Sequence, residues 1–286
     1  MEYKITGVKD FNNDHIFDCG QCFRWQRQED GSYVGTAMGK VAKVSFSDGQ
    51  LTIDNCTEED FKNIWKSYLD LERDYGTLKE ELSSKDASMK EACEYGYGIR
   101  ILNQDFWETV VSFIISQNNN IPRIKGCIES ISERFGDFIG EYAGKKYYAV
   151  PDHEKLASLT SEDLAPSRLG YRAPYLVKMA QQFAEKGGPE AVKRELKNAE
   201  DPISELQQFC GIGPKVAACI SLFGLGMMDA FPIDVWMRRV MNRLYGIDEN
   251  DVKAMREYAG EHFGINGGIA QQYLFYYIRG LDKNML

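Results

Sequence analysis

Lys215 and Asp234 are the two side chains whose types and positions in the sequence suggest covalent chemistry. Lys215 follows Gly211-Ile212-Gly213-Pro214, and the proline predicts a helix that begins just before the lysine. The helix dipole disfavours a cation at that end, so the free amine is more available as a Schiff-base nucleophile. A solvated lysine that binds a phosphate would explain the same position equally well.

Asp234 occurs in the segment Phe231-Pro232-Ile233-Asp234-Val235-Trp236. An aspartate just before an apolar run is typical of a helix N-cap, so we predict a helix that starts at Val235. A carboxylate held in this way can also stabilise positive charge that develops on a sugar. Capping alone would account for Asp234, and the two roles are compatible.

The segment before the lysine predicts a helix–hairpin–helix over about residues 202–224. Asp201-Pro202 is a typical helix start, with a capping side chain followed by proline. Gly211 and Gly213 interrupt the helix and would let a nucleic-acid backbone approach closely. Free amides at the start of the second helix would bind phosphate oxygens. An ordinary helix–turn–helix corner could have the same glycine pattern.

The elements that must position this segment fall into two predicted regions. Residues 1–104 contain short β-prone runs separated by Asp30-Gly31 and Asp48-Gly49, and they predict a small antiparallel sheet domain with flanking helices. Residues 105–286 predict a helical region that contains the active-site cleft. Its helices begin at Asp105 and Pro122 and continue near residues 154–163, 173–186, 190–198, 202–210, 214–224, 235–244, 250–262 and 268–279. The predicted fold class is therefore α+β, mainly α.

Composition limits the classes of function. The 286 residues are 43% hydrophobic, which is enough for one large or two ordinary cores. No run approaches the ~18 apolar residues of a membrane span, and the first residues lack a signal-peptide pattern. We therefore expect no membrane partner and an intracellular location, which would be the cytoplasm or nucleoid if the source is bacterial. The seven scattered cysteines predict free thiols, and none follows Cys219 to complete a late iron–sulfur cluster.

The net charge of −9 argues against nucleic-acid binding. Local basic stretches nevertheless accompany the motifs, and they contain Arg123 and Lys125, then Arg168, Arg172 and Lys178, then Arg238, Arg239 and Arg243. A basic patch can bind phosphate on a protein that is acidic elsewhere. Double-stranded DNA is thus compatible with the sequence as a partner.

Five collinear motifs resemble those of the 8-oxoguanine DNA glycosylase/AP lyase family, within the helix–hairpin–helix glycosylase superfamily. In chain order they are Gly20-Gln21-Cys22-Phe23-Arg24-Trp25, Ser116-Gln117-Asn118-Asn119-Asn120-Ile121-Pro122-Arg123-Ile124, Leu169-Gly170-Tyr171-Arg172-Ala173-Pro174-Tyr175, the hairpin with Lys215 and Asp234, and Ala270-Gln271-Gln272-Tyr273-Leu274-Phe275. They extend over nearly the whole chain. The sequence departs from the family pattern at three positions: Cys210 replaces a proline, Trp236 a phosphate-binding histidine, and Cys22 a serine.

The resemblance implies a bifunctional DNA repair enzyme that excises 8-oxoguanine from duplex DNA, preferably opposite cytosine. Lys215 would attack C1′ of the deoxyribose and form a Schiff base, while Asp234 would stabilise the cationic sugar. β-Elimination would then nick the strand 3′ to the lesion. The expected partner is double-stranded DNA that contains oxidised guanine, and the enzyme is expected to act as a monomer.

The resemblance also assigns four residues to the base, which must leave the stack to react. The flipped base would lie between Cys219 and Phe275, and Gln271 would bond its Watson–Crick edge. The Gly20 carbonyl would accept a hydrogen bond from N7–H of 8-oxoguanine. Guanine has an acceptor at N7, and two opposed acceptors would cost roughly 1–3 kcal/mol.

A second group of residues is assigned by the resemblance to the gap that the flipped base leaves. Asn118 would occupy the vacated space, and Tyr171 would wedge into the opposite strand. Arg123 and Arg172 would donate hydrogen bonds to the orphan cytosine, because planar guanidinium donors suit its acceptor edge. Singly, these residues could equally be a helix-ending asparagine and surface side chains.

No redox cofactor and no catalytic metal are expected, whereas a structural monovalent or divalent cation at the hairpin carbonyls is left open. Three alternative functions are also open at this point. A glycosylase for alkylated or other damaged purines usually lacks the lysine. A non-catalytic helix–hairpin–helix protein would bind DNA without a trappable covalent product. A helical enzyme unrelated to DNA is favoured by the negative charge, and a steep salt dependence of DNA binding would oppose it.

Overall fold

The structure is a computed structural model that describes residues 1–283. It contains an antiparallel sheet with strands Glu2–Thr6 (β1), Trp25–Arg27 (β2), Tyr33–Ala37 (β3), Lys40–Ser47 (β4) and Gln50–Asp54 (β5). The spatial order is β1-β5-β4-β3-β2, and every neighbouring pair is antiparallel. The predicted N-terminal sheet is confirmed, and β1 is an additional edge strand that the sequence patterns did not predict.

Two-residue turns determine the register of this sheet. Asp48-Gly49 joins β4 to β5 with φ of +51° and +75°, and Met38-Gly39 joins β3 to β4 with φ of +52° and +71°. Positive φ at both turn residues is the type I′ conformation, whose twist matches that of paired strands. The resulting register places Val44 opposite Ile53, and both side chains are fully buried. They belong to a smaller core that also contains Trp65.

Five short helices accompany the sheet: Asn13–Phe17 (α1), Glu58–Asp60 (α2), Lys66–Tyr68 (α3), Tyr75–Ser83 (α4) and Ala87–Tyr95 (α5). A π-helical turn, Phe61–Trp65, connects α2 to α3. The sequence patterns did not predict α4 and α5. Leu82 on α4 and Met89 on α5 are buried in the larger core, together with residues of the later helices.

The remaining helices are Phe106–Ser116 (α6), Ile121–Phe135 (α7), His153–Ser158 (α8), Ser161–Leu164 (α9), Arg172–Glu185 (α10), Pro189–Asn198 (α11), Pro202–Leu206 (α12), Pro214–Gly224 (α13), Val235–Tyr245 (α14), Val252–Phe263 (α15) and Gly267–Lys283 (α16), with 3₁₀ turns at Ala165–Ser167 and Gly264–Asn266. The mainly helical fold is therefore confirmed. An unpredicted hairpin interrupts the helices, with strands Phe138–Tyr142 (β6) and Lys145–Tyr148 (β7).

Two predicted helices have different bounds. The helix expected near residues 154–163 is two helices, because Leu159 has extended dihedrals and Thr160 starts α9 with a capping box to Asp163. The helix expected over residues 202–210 ends at Leu206, and residues 207–213 form the turn before α13. The hairpin connection is consequently longer than its two glycines alone suggest.

The α6 helix is the centre of the helical part. Its residues from Phe106 to Ile115 are buried except for the partly exposed Glu108, as a helix apolar on most sides requires. It packs against α7, α10 and α13. Because α13 lies directly on α6, the first turn of α13 is held beside the C-terminal half of α6. None of the helices within residues 1–283 is both long and apolar enough to span a membrane.

Candidate active site

A cleft of about 540 Å³ brings Lys215 and Asp234 together. A smaller cavity of about 40 Å³ adjoins it, and both residues line this cavity as well. The four side chains or backbone groups assigned to the base line the same two cavities: Gly20, Cys219, Gln271 and Phe275. The structure therefore joins residues from three separate motifs at one site, which local sequence patterns alone do not require.

Lys215 lies in the first turn of α13, as the proline before it predicted. Gly213 is the N-cap residue, and its carbonyl accepts a hydrogen bond from the Ala217 amide at 2.9 Å. The lysine side chain is half-buried, and Nζ lies 5.3 Å from the centroid of the Phe113 ring on α6. The aromatic ring thus shields one side of the amine, while the other side faces the cleft.

Asp234 is the N-cap of α14, and this prediction is confirmed. Its Oδ1 accepts a hydrogen bond from the Met237 amide at 2.9 Å. Its Oδ2 has no hydrogen-bond partner among the described residues. The carboxylate is thus fixed by one oxygen and can offer the other to a group in the cleft. No ion pair within residues 1–283 joins Asp234 to Lys215, so both charges face the shared space.

The inner cavity is lined by a cysteine sulfur and by an aromatic ring. Cys219 lies one helical turn after Lys215 and is 3% exposed, and Phe275 on α16 is half-buried. Burial raises the pKa of the Cys219 thiol, with Lys215 opposing this effect and Asp234 adding to it. The thiol therefore stays protonated at neutral pH, and Cys219 is suited to packing against a base rather than to nucleophilic attack.

Gln271 lies at the inner end of the cavity and is 5% exposed. Its carboxamide oxygen is buried and has no hydrogen-bond donor in the part of the chain that the structure describes. Gln272, which sequence reasoning did not single out, lines the same cavity and also has a buried carboxamide oxygen without a donor. Buried polar groups are rarely left unpaired, so this cavity is suited to a ligand with N–H donors.

Gly20 borders the cavity in a backbone conformation that favours glycine, with φ of +88°. A Cβ atom at this position would meet the Phe275 ring at 3.4 Å. The next residue anchors the loop, since the buried Gln21 side chain donates to the Arg100 carbonyl at 2.8 Å and accepts from the Leu102 amide at 2.8 Å. The backbone of Gly20 is therefore fixed close to Phe275.

The hairpin keeps its tight turn although Cys210 replaces the family's proline. Gly211 has φ of +80°, and a Cβ atom there would meet Tyr175 Cβ at 2.7 Å, so glycine is required. The Cys210 amide donates to Gln182 Oε1 at 2.7 Å, a bond that proline could not make. Gly213 has a negative φ and open space around its Cα, which leaves the start of α13 accessible.

The turn after α6 contains Asn118 and connects to the hairpin. Asn118 is exposed and has φ of +46°, a conformation that asparagine tolerates better than most residues. The preceding residue, Gln117, donates through Nε2 to the Gly211 carbonyl at 2.9 Å. The two segments that the resemblance assigns to DNA are therefore hydrogen-bonded to each other.

The side chains assigned to the opposite strand differ in exposure. Tyr171 is 49% exposed, and its hydroxyl donates to the Gln117 carbonyl at 3.1 Å. Arg123 is exposed and donates to the Arg168 carbonyl at 3.1 Å. Arg172 is only 3% exposed. The sequence allowed a surface position for either arginine taken alone. The structure places Arg123 on the surface and buries Arg172.

Arg172 is bonded to backbone carbonyls on three residues. Nε donates to Gln117 at 2.9 Å, Nη1 to Leu169 at 3.2 Å, and Nη2 to Asn118 at 2.9 Å and also to Gln117. The guanidinium also lies over the Tyr171 ring, 4.5 Å from its centroid. Arg172 thus holds the Asn118 turn and the Tyr171 loop together. Its contact with an orphan cytosine stays a prediction.

Sequence reasoning also missed Arg279, which lines the large cleft. Gln271, Phe275 and Arg279 are each four residues apart on α16, so the pattern that places them on one face was visible in the sequence. Trp236, noted as a departure from the family, lines the cleft too, and the Arg239 guanidinium lies 5.2 Å from its ring centroid. The outer cleft is therefore partly lined by aromatic and basic side chains.

Comparison with known families defines the class first. Residues 111–263 match the model of the HhH-GPD superfamily base excision DNA repair proteins, and residues 5–110 match the 8-oxoguanine DNA glycosylase N-terminal domain. The N-glycosylase/DNA lyase of Saccharomyces cerevisiae is 31% identical over 269 residues, which are 85% of this chain and 71% of that protein.

Solved structures of 8-oxoguanine glycosylase/lyases are similar to this chain over nearly its whole length. The 8-oxoguanine glycosylase/lyase of Clostridium acetobutylicum in its apo form has a TM-score of 0.90 and 45% identity, with 96% of both chains covered. The same enzyme bound to duplex DNA with cytosine opposite 8-oxoguanine has a TM-score of 0.91 and 43% identity, over 99% of this chain and 98% of that chain. The chain belongs to the 8-oxoguanine DNA glycosylase/AP lyase family.

Proposed function

We propose that this protein excises 8-oxoguanine from duplex DNA, preferably opposite cytosine, and then nicks the strand through a lysine Schiff base. The observation that carries the proposal is the continuous cleft in which Lys215 and Asp234 border the cavity that ends at Gln271. The solved relative in complex with DNA containing this lesion supports the choice of substrate. The chemistry needs a sugar beside the amine and a base beyond it, and the cleft offers both positions.

Lys215 acts as the nucleophile in this proposal. Its neutral amine attacks C1′ as the C1′–N9 bond breaks, and the electron pair of that bond leaves with the base, which takes up a proton. Asp234 stabilises the positive charge that develops on the sugar through its unbonded Oδ2. Ring opening gives the Schiff base. Loss of a C2′ proton then expels the 3′ phosphate, which is the nicking step.

The base is recognised by groups that lack partners in the free enzyme. The buried Gln271 oxygen needs a donor, and the guanine edge offers N1–H and the N2 amino group. The Gly20 carbonyl accepts from N7–H, which 8-oxoguanine has and guanine lacks. Cys219 and Phe275 pack on the two faces of the base. Together these contacts select a purine with donors on both edges.

The rim of the cleft contacts the opposite strand. Asn118 and Tyr171 are exposed and can fill the gap, while Arg123 can exchange its bond to the Arg168 carbonyl for the orphan cytosine. Arg172 has four hydrogen bonds to carbonyls, so it contributes to cytosine recognition through a remaining Nη1 hydrogen. The preference for cytosine then depends more on Arg123 than on Arg172.

The hairpin binds the DNA backbone through the open amides at the start of α13, where Gly213 leaves space for a phosphate. We also propose that hairpin carbonyls can bind a structural monovalent or divalent cation. The Gly211 carbonyl already accepts from Gln117, and a carbonyl oxygen has a second lone pair. A fall in DNA affinity when potassium is replaced by tetramethylammonium at equal ionic strength would support the cation.

We further propose that the enzyme acts as a monomer inside the cell, because its substrate is chromosomal DNA and the cleft is built from one chain. It uses no redox cofactor and no catalytic metal, because a lysine amine and a carboxylate suffice for the steps above. Glycosylases for alkylated bases usually lack the lysine, and a non-catalytic DNA-binding protein does not need it in a cleft.

Excision tests the proposal. Purified protein is incubated with duplexes that contain 8-oxoguanine opposite each of the four bases, and free base and nicked strand are quantified separately. We expect release of 8-oxoguanine, fastest opposite cytosine, and strand nicking 3′ to the lesion. Matched duplexes with guanine at the same position are the control. Release of guanine at the same rate, or no release of 8-oxoguanine, would contradict the proposal.

A further inference from the structure

We infer that Arg279 is a specificity-determining residue that donates a hydrogen bond to a carbonyl oxygen of the flipped base next to N7. The inference rests on the proposed function, because it concerns the same flipped 8-oxoguanine. Arg279 lies outside the five motifs that resemble the family.

The position of Arg279 relates it to two of the residues assigned to the base. Its guanidinium carbon lies 5.8 Å from the centroid of the Phe275 ring, over the aromatic face. Its Nη1 lies 3.5 Å from the point that a Cβ atom of Gly20 would occupy. The guanidinium is therefore next to the backbone that would accept N7–H and against the Phe275 ring on which the base would stack.

The donors of Arg279 are unused. The side chain is half-buried, and its guanidinium makes no hydrogen bond or ion pair with any residue that the structure describes. A guanidinium has five N–H donors and no acceptor. In 8-oxoguanine, N7–H is flanked by carbonyl oxygens at C6 and C8, which are acceptors. A backbone acceptor at Gly20 beside a donor at Arg279 matches this donor–acceptor pair.

The two carboxylates nearest to Arg279 outside the cleft are already paired with other cations. On its other side, Arg279 borders a groove of about 520 Å³ that contains Asp14 and Asp18. Lys125 lies 3.6 Å from Asp18, and Arg27 lies 2.8 Å from Asp14, so each carboxylate has a cationic partner other than Arg279. Arg279 pairs with neither of them, and its donors are left for an acceptor on the cleft side, where the base would be.

The test compares Arg279→Met with the wild-type protein on two substrates. Methionine keeps an apolar stem against Phe275 but removes every donor. For 8-oxoguanine opposite cytosine, we expect kcat/KM for base release to fall about 10- to 100-fold, the range for loss of a discriminating base contact. Cleavage of a preformed abasic site, which has no base, should be unchanged. Arg279→Lys should give an intermediate loss on the first substrate.

Two further measurements complete the design. With 8-oxoadenine, which keeps the C8 oxygen but has an amino group at C6, an effect of the same size assigns the bond to the C8 oxygen, and a smaller effect assigns it to the C6 oxygen. Either result supports the inference. Arg194→Met is the matched control, because Arg194 is exposed on α11 and lines neither the cleft nor the inner cavity. It should leave both activities unchanged.

Two results would overturn the role of Arg279. Equal losses on lesion and abasic DNA, with a salt slope reduced by about 1, would make Arg279 a phosphate contact. Unchanged excision in Arg279→Met would make it a packing residue of Phe275. Failure of the wild-type protein to release 8-oxoguanine would contradict the proposed function itself, and it is visible in the same assay before any variant is compared.

Discussion

The inner cavity and the outer rim of the cleft differ in how many of their polar groups are already bonded. In the inner cavity, the Gln271 carboxamide oxygen has no donor among residues 1–283, and Asp234 uses one of its two oxygens. At the rim, the donors of Tyr171 and Arg172 are bonded to backbone carbonyls of neighbouring turns. The inner cavity therefore offers polar groups to a ligand, whereas the polar groups of the rim are already hydrogen-bonded within the protein.

The inner cavity therefore serves to recognise the base, and the rim serves to hold the surrounding loops in place. A buried, unpaired amide oxygen costs about 1–3 kcal/mol, and a base that supplies a donor would recover this energy on binding. The rim gains its energy within the free protein, where Arg172 fixes the shape of two loops before DNA arrives. We therefore expect changes in the cavity to reduce catalysis with little effect on folding, and changes at Arg172 to reduce stability.

Asp234→Asn should have a larger effect than substitutions of Arg172, Gln271 or Arg123. Asparagine caps a helix about as well as aspartate, so α14 should keep its start and the melting temperature should change little. Loss of the negative charge should lower the rate of base release by about 100- to 1000-fold. Single-turnover excision of 8-oxoguanine measures this rate.

Asp251→Asn is the matched control for this experiment. Asp251 caps α15 through the same type of bond, from the Ala254 amide at 2.9 Å, and it does not line the cleft. It should excise at the wild-type rate. If Asp234→Asn were as active as this control, Asp234 would be a helix cap and nothing more.

Arg172→Met should have the second largest effect, on stability. The variant removes the guanidinium from the carbonyls of Gln117, Leu169 and Asn118. Gln117 keeps the Tyr171 hydroxyl and Leu169 keeps the amide of residue 172, so the Asn118 carbonyl is the one left without a donor among the described residues. We expect the free energy of unfolding to fall by about 2–3 kcal/mol, as for loss of hydrogen bonds to a charged group. Urea denaturation followed by circular dichroism measures it. A wild-type unfolding midpoint would show that Arg172 does not hold these loops together.

Gln271→Met should reduce excision without reducing stability, the reverse of what we expect for Arg172→Met. Methionine has a similar length and no buried polar atom, so stability should be equal or slightly higher. The guanine edge loses its acceptor, and kcat/KM for 8-oxoguanine release should fall about 10- to 50-fold, with cleavage of a preformed abasic site retained. Gln181→Met is the control substitution, at a partly exposed position of α10 outside the cleft, and it removes one hydrogen bond to the Ala157 carbonyl. Loss of both activities together would instead indicate a damaged fold.

Arg123→Met should have the smallest effect. Its exposed side chain makes one hydrogen bond, to the Arg168 carbonyl, so stability should change by less than about 0.5 kcal/mol. Excision opposite cytosine should fall by about threefold to tenfold, toward the rates opposite the other bases, because a donor to the orphan base is lost. An unchanged ratio between cytosine and the other three bases would remove Arg123 from orphan-base recognition.

The segment that contains Lys215 and Asp234 could be predicted from sequence because its signals are local. Pro214 and Asp234 mark helix starts, and each acts within one helical turn of its own position. The hairpin β6–β7 could not be predicted, because Ala143 has φ of +50° in its turn, a conformation that alanine rarely adopts. Gly144 follows it with φ of +79°, but alanine takes the place of the asparagine or aspartate that usually marks such a turn.

The burial of Arg172 could not be predicted either. Arginine is almost always exposed unless it is paired, and its partners here are carbonyls in a turn more than fifty residues earlier in the chain. For Arg279, the four-residue spacing was visible, but which side of α16 faces the cleft depends on tertiary packing. Sequence patterns thus predicted which residues react, and the structure shows which of them have partners.

Borohydride trapping of Lys215→Gln on 8-oxoguanine DNA shows whether Lys215 is the nucleophile that attacks the sugar. Reduction converts a Schiff base into a stable protein–DNA adduct, so the wild-type protein should give a shifted band in denaturing electrophoresis. Glutamine has no amine, and we expect Lys215→Gln to give no adduct while it still binds the duplex. An adduct formed by Lys215→Gln in wild-type yield would show that another amine attacks the sugar, and the account would be wrong.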